Sequence, residues 1–315
     1  MNVKALKLVK YERYLLALIM TFIMFVSAGL TGQKEIIFPE VLAIMTGAWL
    51  DSIQPWNVNK RRIFILTCLT AFIGVAIVKY IHIALFWQVF VAFVSCGVLL
   101  VLLKTNFIPI ISACILPVYL QTTTWVYSVA VSIMTLVIIT VQWLMEKYKL
   151  RSINHYNPEF DIKKNILLWV KLFLIFGIIA IIPIESKNIF FLAPPLVVTF
   201  VSFANPKSPV RKKILPIYGV LVFAAIVGTG MRVLLNMDLN VPLAICAVIS
   251  CVAMFFVFDY TRIFFPPSGA VVILPFLLRY DDLKWFPLEV AIGAAVVISV
   301  SMIMFREKRL KRDLL

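Results

Sequence analysis

The sequence predicts an all-α polytopic membrane protein of about twelve membrane helices, arranged as two parallel six-helix repeats with short proline-led helices in each. Three observations carry that reading. The first is composition: 63% of the 315 residues are hydrophobic and 14% charged, with a mean hydropathy of +1.01, whereas soluble domains are about 45–50% apolar and about 25% charged. The second is run length, since unbroken apolar stretches of about 14–22 residues suit helices crossing a hydrocarbon core about 30 Å thick. Their lack of alternation excludes an outer-membrane β-barrel. The third is a landmark-by-landmark match between the two halves of the chain.

The twelve apolar elements follow in order. The first, 14–30, comes after Lys4, Lys7, Lys10 and Arg13 and ends in Ser27-Ala28-Gly29, a pattern shared with signal peptides. It exceeds the usual apolar core of about 7–15 residues and has a counterpart later in the chain, so it reads as a span. Next come 36–50, opened by Phe38-Pro39-Glu40, then 63–78 behind Lys60-Arg61-Arg62, 85–103, 107–120 with Pro109 and Ser112, and 125–144. A polar linker with Asn154, Asn157 and Pro158 leads to 166–184, 189–204 with Pro194-Pro195, 214–235, 241–258, 263–278 and 286–305. The expected units are residues 1–146 as the first repeat, 147–164 as a cytoplasmic linker and 165–315 as the second repeat.

Charge orients the array. The net charge of +15 would suggest nucleic acid on a soluble chain, but here the basic residues occupy short loops between spans, and no nucleic-acid partner is expected. With the N-terminus inside and every element crossing, 24 of the 30 Lys and Arg residues lie on the inner side, as the positive-inside rule requires. Lys34, Lys79, Lys187, Arg232, Arg279 and Lys284 remain outside. Were the short element 36–50 not to cross, Lys60-Arg61-Arg62 would violate the rule. The expected location is therefore the cell membrane, multi-pass, with both termini cytoplasmic.

The duplication rests on several landmarks in one order. Phe38-Pro39-Glu40-Val41 aligns with Ala193-Pro194-Pro195-Leu196, Gly74 with Gly228, Ser95-Cys96 with Ser250-Cys251, and Lys104 with Arg262. Pro109 and Pro117 match Pro267 and Pro275, and the exits Glu146-Lys147 match Glu307-Lys308. Six spans per repeat is an even number, so both halves share an orientation about a pseudo-twofold axis along the membrane normal.

Candidate chemistry lies at the short proline-led elements, headed by Pro39, Pro109, Pro194-Pro195 and Pro266-Pro267. Proline suits a first helical turn, and a helix of about 14 residues rises only about 21 Å. Its recessed tip would expose unpaired N–H groups and the positive dipole end to an anion. Ser268 offers a hydroxyl there, Gly269 close backbone approach, and Arg262 a forked cation. Glu40 is a candidate coupling carboxylate or a dipole-complementing first-turn acid, and Ser112 a candidate pathway residue. Lys171 is expected to snorkel. Arg232 and Lys79 are expected to draw anions toward an outer vestibule or to anchor the chain. The seven tryptophans, near element ends, read as an interfacial belt.

Phe265-Pro266-Pro267-Ser268-Gly269-Ala270, with Ala193-Pro194 and Asn205-Pro206-Lys207-Ser208-Pro209, resembles the HPP family of integral membrane proteins, named for a His-Pro-Pro motif followed by a small-Gly-Ala stretch. The resemblance spans roughly the second half and implies membrane transport, with nitrite-type anion transport suggested for some members. The family histidine stands as Phe265 here, and the expected Gly-Ala-Ser after Ala193-Pro194 is missing. The short proline-led spans also look like those of the aromatic-acid exporter (fusaric-acid resistance) membrane domain.

Other classes fare worse. No Ser/His/Asp grouping, phosphate-binding Gly-rich loop or nucleotide domain is present, so no enzyme and no cofactor is expected. The five cysteines lie in apolar runs and the two histidines, His82 and His155, stand apart, so no metal site is expected. The expected function is a secondary carrier or channel-like transporter for a small anion such as nitrite or a carboxylate. The alternatives are a scaffold or lipid-head-group-binding subunit and, last, an enzyme of lipid-linked phosphate. The expected partners are a small anionic solute and membrane lipids, with homo-oligomer formation left open.

Overall fold

A computed structural model describes residues 3–51, 53–154, 156 and 161–306, with side chains from residue 10 onward. His155, Asn157, Pro158, the Glu307-Lys308 exit and the basic tail beyond Arg306 lie outside the described residues. The described chain is helical and contains no strand. The first half comprises α1 (Val3–Thr31), α2 (Glu40–Met45, continued by a π turn, Thr46–Leu50), α3 (Lys60–Tyr80), α4 (Leu85–Leu102), α5 (Ile110–Tyr119) and α6 (Val126–Lys147). The second comprises α7 (Ile162–Glu185), α8 (Pro194–Ala204), α9 (Ile214–Gly230, continued by a π segment, Met231–Asp238), α10 (Leu243–Thr261), α11 (Pro266–Ile273) and α12 (Tyr280–Met304).

Eight of these are long and apolar enough to span a bilayer. The other four of the expected twelve spans, α2, α5, α8 and α11, have at most 11 residues each even with the π turn of α2. They rise only about 16 Å at 1.5 Å per residue, less than a hydrocarbon core about 30 Å thick. Proline is the local reason. Pro39 and Pro109 immediately precede α2 and α5, and Pro194-Pro195 and Pro266-Pro267 open α8 and α11, because a proline ring fits a first turn and disfavours helix in the residue before it.

The segment from Phe38 through α2 and its π turn nonetheless runs along much of α1. The Phe38 amide reaches Met24 Sδ near the far end of α1, while Arg13 Nη1, eleven residues earlier on α1, donates to Trp49 O at the end of α2's π turn at 3.0 Å. The loops expected to share the inner side also meet. Asn57 N donates to Asn106 Oδ1, Thr105 Oγ1 to Asn57 O at 2.9 Å, and Lys60 pairs with Glu146. Asn154 reaches Val58 O, and Arg211 reaches Phe305 O. This end is referred to below as the basic end.

Packing repeats across the halves. α3 packs on α5 and α6, as α9 packs on α11 and α12. Between halves, α1 packs on α10 and α4 on α7, and α2 packs on α11 and α5 on α8. Tyr14 meets Phe255 with ring centroids 4.9 Å apart, and Phe93 stacks on Phe176 at 4.0 Å. The perimeter is apolar: on α7, Leu174, Ile178 and Ile182, one turn apart, are all exposed, as a lipid-facing stripe requires.

The C-terminal carbonyls of the short descending helices find side-chain partners, as backbone groups away from water must. Arg151 is buried and donates through Nη2 to Gly47 O at 3.2 Å and Asp51 O at 3.1 Å. Burial, and next the neighbouring charge of Arg13, push its guanidinium down to about 10. Arg211 does the same for α8, donating to Phe203 O at 3.0 Å.

Asp161 caps α7 by accepting from Lys164 N at 3.1 Å, and that backbone hydrogen bond is the first cause holding its carboxyl below the ordinary range. A lowered carboxylate stabilises at neutral pH and loses that contribution as pH falls through its folded value. Acidification below the carboxylate range is expected to lower the protection of the Lys164 amide, measured against the intrinsic exchange rate at the same pH, and Asp161→Ala to show little protection there at any pH.

Several expectations about individual side chains change. Trp87, Trp143 and Trp285 are about half-exposed, as belt residues would be, but Trp49, Trp56 and Trp169 are buried. Trp49 Nε1 donates to Ile138 O at 3.1 Å across the bundle, so its indole is satisfied inside. Lys171 does not simply snorkel. It donates to Met304 O and sits over the Phe305 ring, completing the end of α12. Lys79 lies over the Trp125 ring at 5.1 Å and Arg232 bonds Asn236, both engaged locally.

Candidate functional site

A cavity of about 290 Å³ lies where the four short helices converge. At about 30 Å³ per water, it has room for roughly ten waters or a small solute. Its inner wall is built from α2 (Glu40, Ala43), α5 (Pro109, Ser112), α8 (Pro195, Val198) and α11 (Pro266, Pro267, Ala270), and α7 closes one side with Trp169 and Leu172. The rim, at the basic end, is polar: Asn106, Asn165, Asn205, Lys207 and Ser208 line it, and Asn106, Asn205 and Lys207 are exposed. The vestibule thus narrows from an amide- and lysine-lined mouth to an apolar throat.

The lining residues come from matched positions in the two halves. Glu40 and Pro195, Ala43 and Val198, Pro109 and Pro267, and Ser112 and Ala270 occupy equivalent places in the aligned halves, and all eight face the cavity. The chemistry is nevertheless one-sided. The first half supplies a carboxyl and a hydroxyl, where the second supplies a proline ring and a methyl group.

Glu40 and Ser112 are each 1% exposed, and Ser112 Oγ donates to Glu40 Oε1. Glu40 Oε2 is buried with no hydrogen-bond partner, a costly arrangement for an ionised group at membrane depth. Phe38 sits beside Met24, seven residues before α1 ends at Thr31. Glu40, two residues on, is therefore recessed about 10 Å below that end by the rise per residue.

Six of the residues singled out from sequence meet in this cavity: Glu40, Pro109, Ser112, Pro195, Pro266 and Pro267. Pro39, Pro194, Ser268, Gly269 and Arg262 are not among its lining residues. Ser268 Oγ turns back to Phe265 O at 2.7 Å and is spent within its own turn. Gly269 does permit a close approach, but to protein: a Cβ there would stand 3.1 Å from Leu42 O and from Thr46 Oγ1 of α2. Arg262 is exposed and ends α10 in a left-handed conformation, φ 57°, pointing the chain back toward α11 rather than presenting a clamp to the cavity.

Part of the expected cradle of helix-tip amides is engaged within the protein. Proline removes the first donors, and tight bonds consume the next. Ser268 N donates to Phe265 O at 3.1 Å, Leu196 N to Ala193 O at 2.7 Å, Ile111 N to Ile108 O at 3.0 Å, and Val41 N to Phe38 O at 3.0 Å. Proline rings and side chains of the tips line the cavity. Polar side chains that line it are the rim amides, Lys207 and the Glu40–Ser112 pair. Sequence reasoning missed Trp56, Trp169 and the rim asparagines. The recurrence of asparagine in three basic-end segments, at 106, 165 and 205, was a signal for the last.

Residues 157–312 match the family model described as HPP, transmembrane region. No curated protein and no solved structure matches the chain.

Proposed function

The second half of this chain is an HPP transmembrane region, and from that premise we propose that the whole protein is a secondary carrier for a small anion such as nitrite or a carboxylate. The observation that carries the proposal is the cavity at the meeting point of the four short helices, lined at equivalent positions by both halves.

In this reading each half is a six-helix repeat, and the two are related by a pseudo-twofold axis passing through the cavity. The shared environments of Gly74, beneath Pro117, and Gly228, beneath Pro275, support that relation. So does the reciprocal packing of α2 on α11 and α5 on α8. The basic end is cytoplasmic, both termini included, because short loops rich in Lys and Arg stay inside. Lys207 and the amides of Asn106, Asn165 and Asn205 collect an anion at the mouth. Rocking of one repeat against the other then exposes the throat to the opposite side. No chemical step is involved.

The test is exchange of isotopically labelled nitrite in proteoliposomes, with protein-free vesicles as background. Ser202 is half-buried on the cavity wall, and Ser202→Trp would fill the vestibule without disturbing the core. Exchange is expected to fall by about tenfold or more, equivalent to about 1.4 kcal/mol, at an unchanged melting temperature. Wild-type exchange no faster than background for nitrite, formate and benzoate alike would reject the carrier reading.

A further inference from the structure

We propose that Glu40, positioned by Ser112, is a proton-binding site, and that the anion crosses together with one proton carried there. The inference rests on the carrier reading above and names the coupling ion of that same cavity.

The argument begins with what surrounds the carboxyl. Glu40 lines the cavity, is 1% exposed, and has one oxygen held by Ser112 and one with no partner. Among the described residues no cation is paired with it. On α1, the charged side chains lie at the other end, where Arg13 binds Trp49 O and Lys10 pairs with Asp259. On α6, Tyr127 faces it with a hydroxyl already donated to Ala113 O at 2.8 Å, and Glu146 is paired with Lys60 at the basic end. From α5 come Ser112 and the thiol of Cys114, while α11 and the π turn of α2 contain no charged residue. Lys207 stands at the rim of the cavity.

A carboxylate left in this state at membrane depth is expensive. A hard metal ion would require a shell of about six oxygens, and the one side-chain oxygen bonded to the carboxyl is that of Ser112. A proton needs a single lone pair, which Oε2 has free. Protonation also changes what the cavity offers a solute. The ionised carboxyl repels an anion, whereas the neutral acid presents an O–H donor to it. Anion and proton therefore favour each other's binding, and that favour is reciprocal. The matched positions in the second half, Pro195 and Ala270, hold no acid or hydroxyl, which sets the ratio at one proton per anion.

The experiment uses the full chain in sodium-free proteoliposomes loaded with a pH-reporting dye. An inward nitrite gradient is expected to acidify the lumen above the protein-free background. Glu40→Gln keeps the shape and removes the titration. It is expected to reduce the protons that accompany each labelled nitrite taken up by about tenfold or more, a ratio that a change in the nitrite rate alone would not move. Ser112→Ala is expected to retain coupling, because the hydroxyl holds the carboxyl without carrying the proton, and to shift the frequency of the carboxyl's infrared band, which a merely structural role would leave in place. Acidification by Glu40→Gln equal to wild type, or uptake that follows sodium rather than pH, would overturn the proton site. Absence of exchange in the wild type would overturn the carrier reading instead, so the two failures are distinguishable. Infrared titration of purified protein adds a readout free of any substrate. A protonated-carboxyl band present in the wild type should vanish in Glu40→Gln, and its persistence would also refute the proposal.

Discussion

Gly74→Val and Gly228→Val are each expected to destabilise the protein strongly and by nearly equal amounts. A Cβ on Gly74 would overlap the Cys114 carbonyl and stand 2.7 Å from Pro117 Cγ, and one on Gly228 would overlap the Val272 carbonyl and stand 3.0 Å from Pro275 Cγ. Both obstacles include backbone, which cannot rotate away, so α3 must separate from α5, or α9 from α11. Overpacking of this kind costs about 1–3 kcal/mol, occasionally more, and these sites belong at the top of that range. Gly219, on α9 as well, has nothing within 4 Å of its would-be Cβ, so Gly219→Val serves as a near-neutral control for helix propensity. Thermal or denaturant melting in detergent measures all three. A large loss at Gly74 with none at Gly228 would mean that the two halves do not share this close contact.

Arg151→Ala is expected to cost about 1.5–3 kcal/mol per charged hydrogen bond network lost, and to loosen the basic end of α2. The guanidinium is buried and holds Gly47 O and Asp51 O, while Arg13 holds Trp49 O one step away. Removing Arg151 takes away the charged donor that Gly47 O and Asp51 O share, a costly change for backbone at the end of a buried helix. Arg151→Lys should recover only part of the loss, since an ammonium cannot reproduce a planar fork. Because α2 carries Glu40 at its opposite tip, the same substitution should speed amide exchange along residues 46–51 and lower anion exchange in vesicles. Stability and protection equal to wild type would refute the capping role.

The features legible from composition and order were those set by solvent and by chain stereochemistry. Long apolar runs such as 63–78 and 166–184 have to become helices because a bilayer leaves no other way to pair their amides. Proline at 39, 109, 194 and 266 marks where short helices begin, because its ring acts on the local backbone. The Gly74–Pro117 and Gly228–Pro275 correspondences survive because a close approach tolerates one residue type. Contacts between distant parts of the chain left no such mark. Glu40 and Ser112 lie 72 residues apart, and neither says in sequence which acceptor or donor it will meet. Gly269 reads equally well as space for a ligand or space for a helix, and packing against Leu42 assigns it to the helix. Trp49 and Trp56 read as interfacial from position alone, yet the π turn of α2 and the Gly47–Trp56 contact bury them. Local propensity and the demands of the membrane decide which segments are helical and where they start. Which side chains share a cavity, and which are spent on each other before any solute arrives, depends on long-range packing of elements that no short window of residues contains.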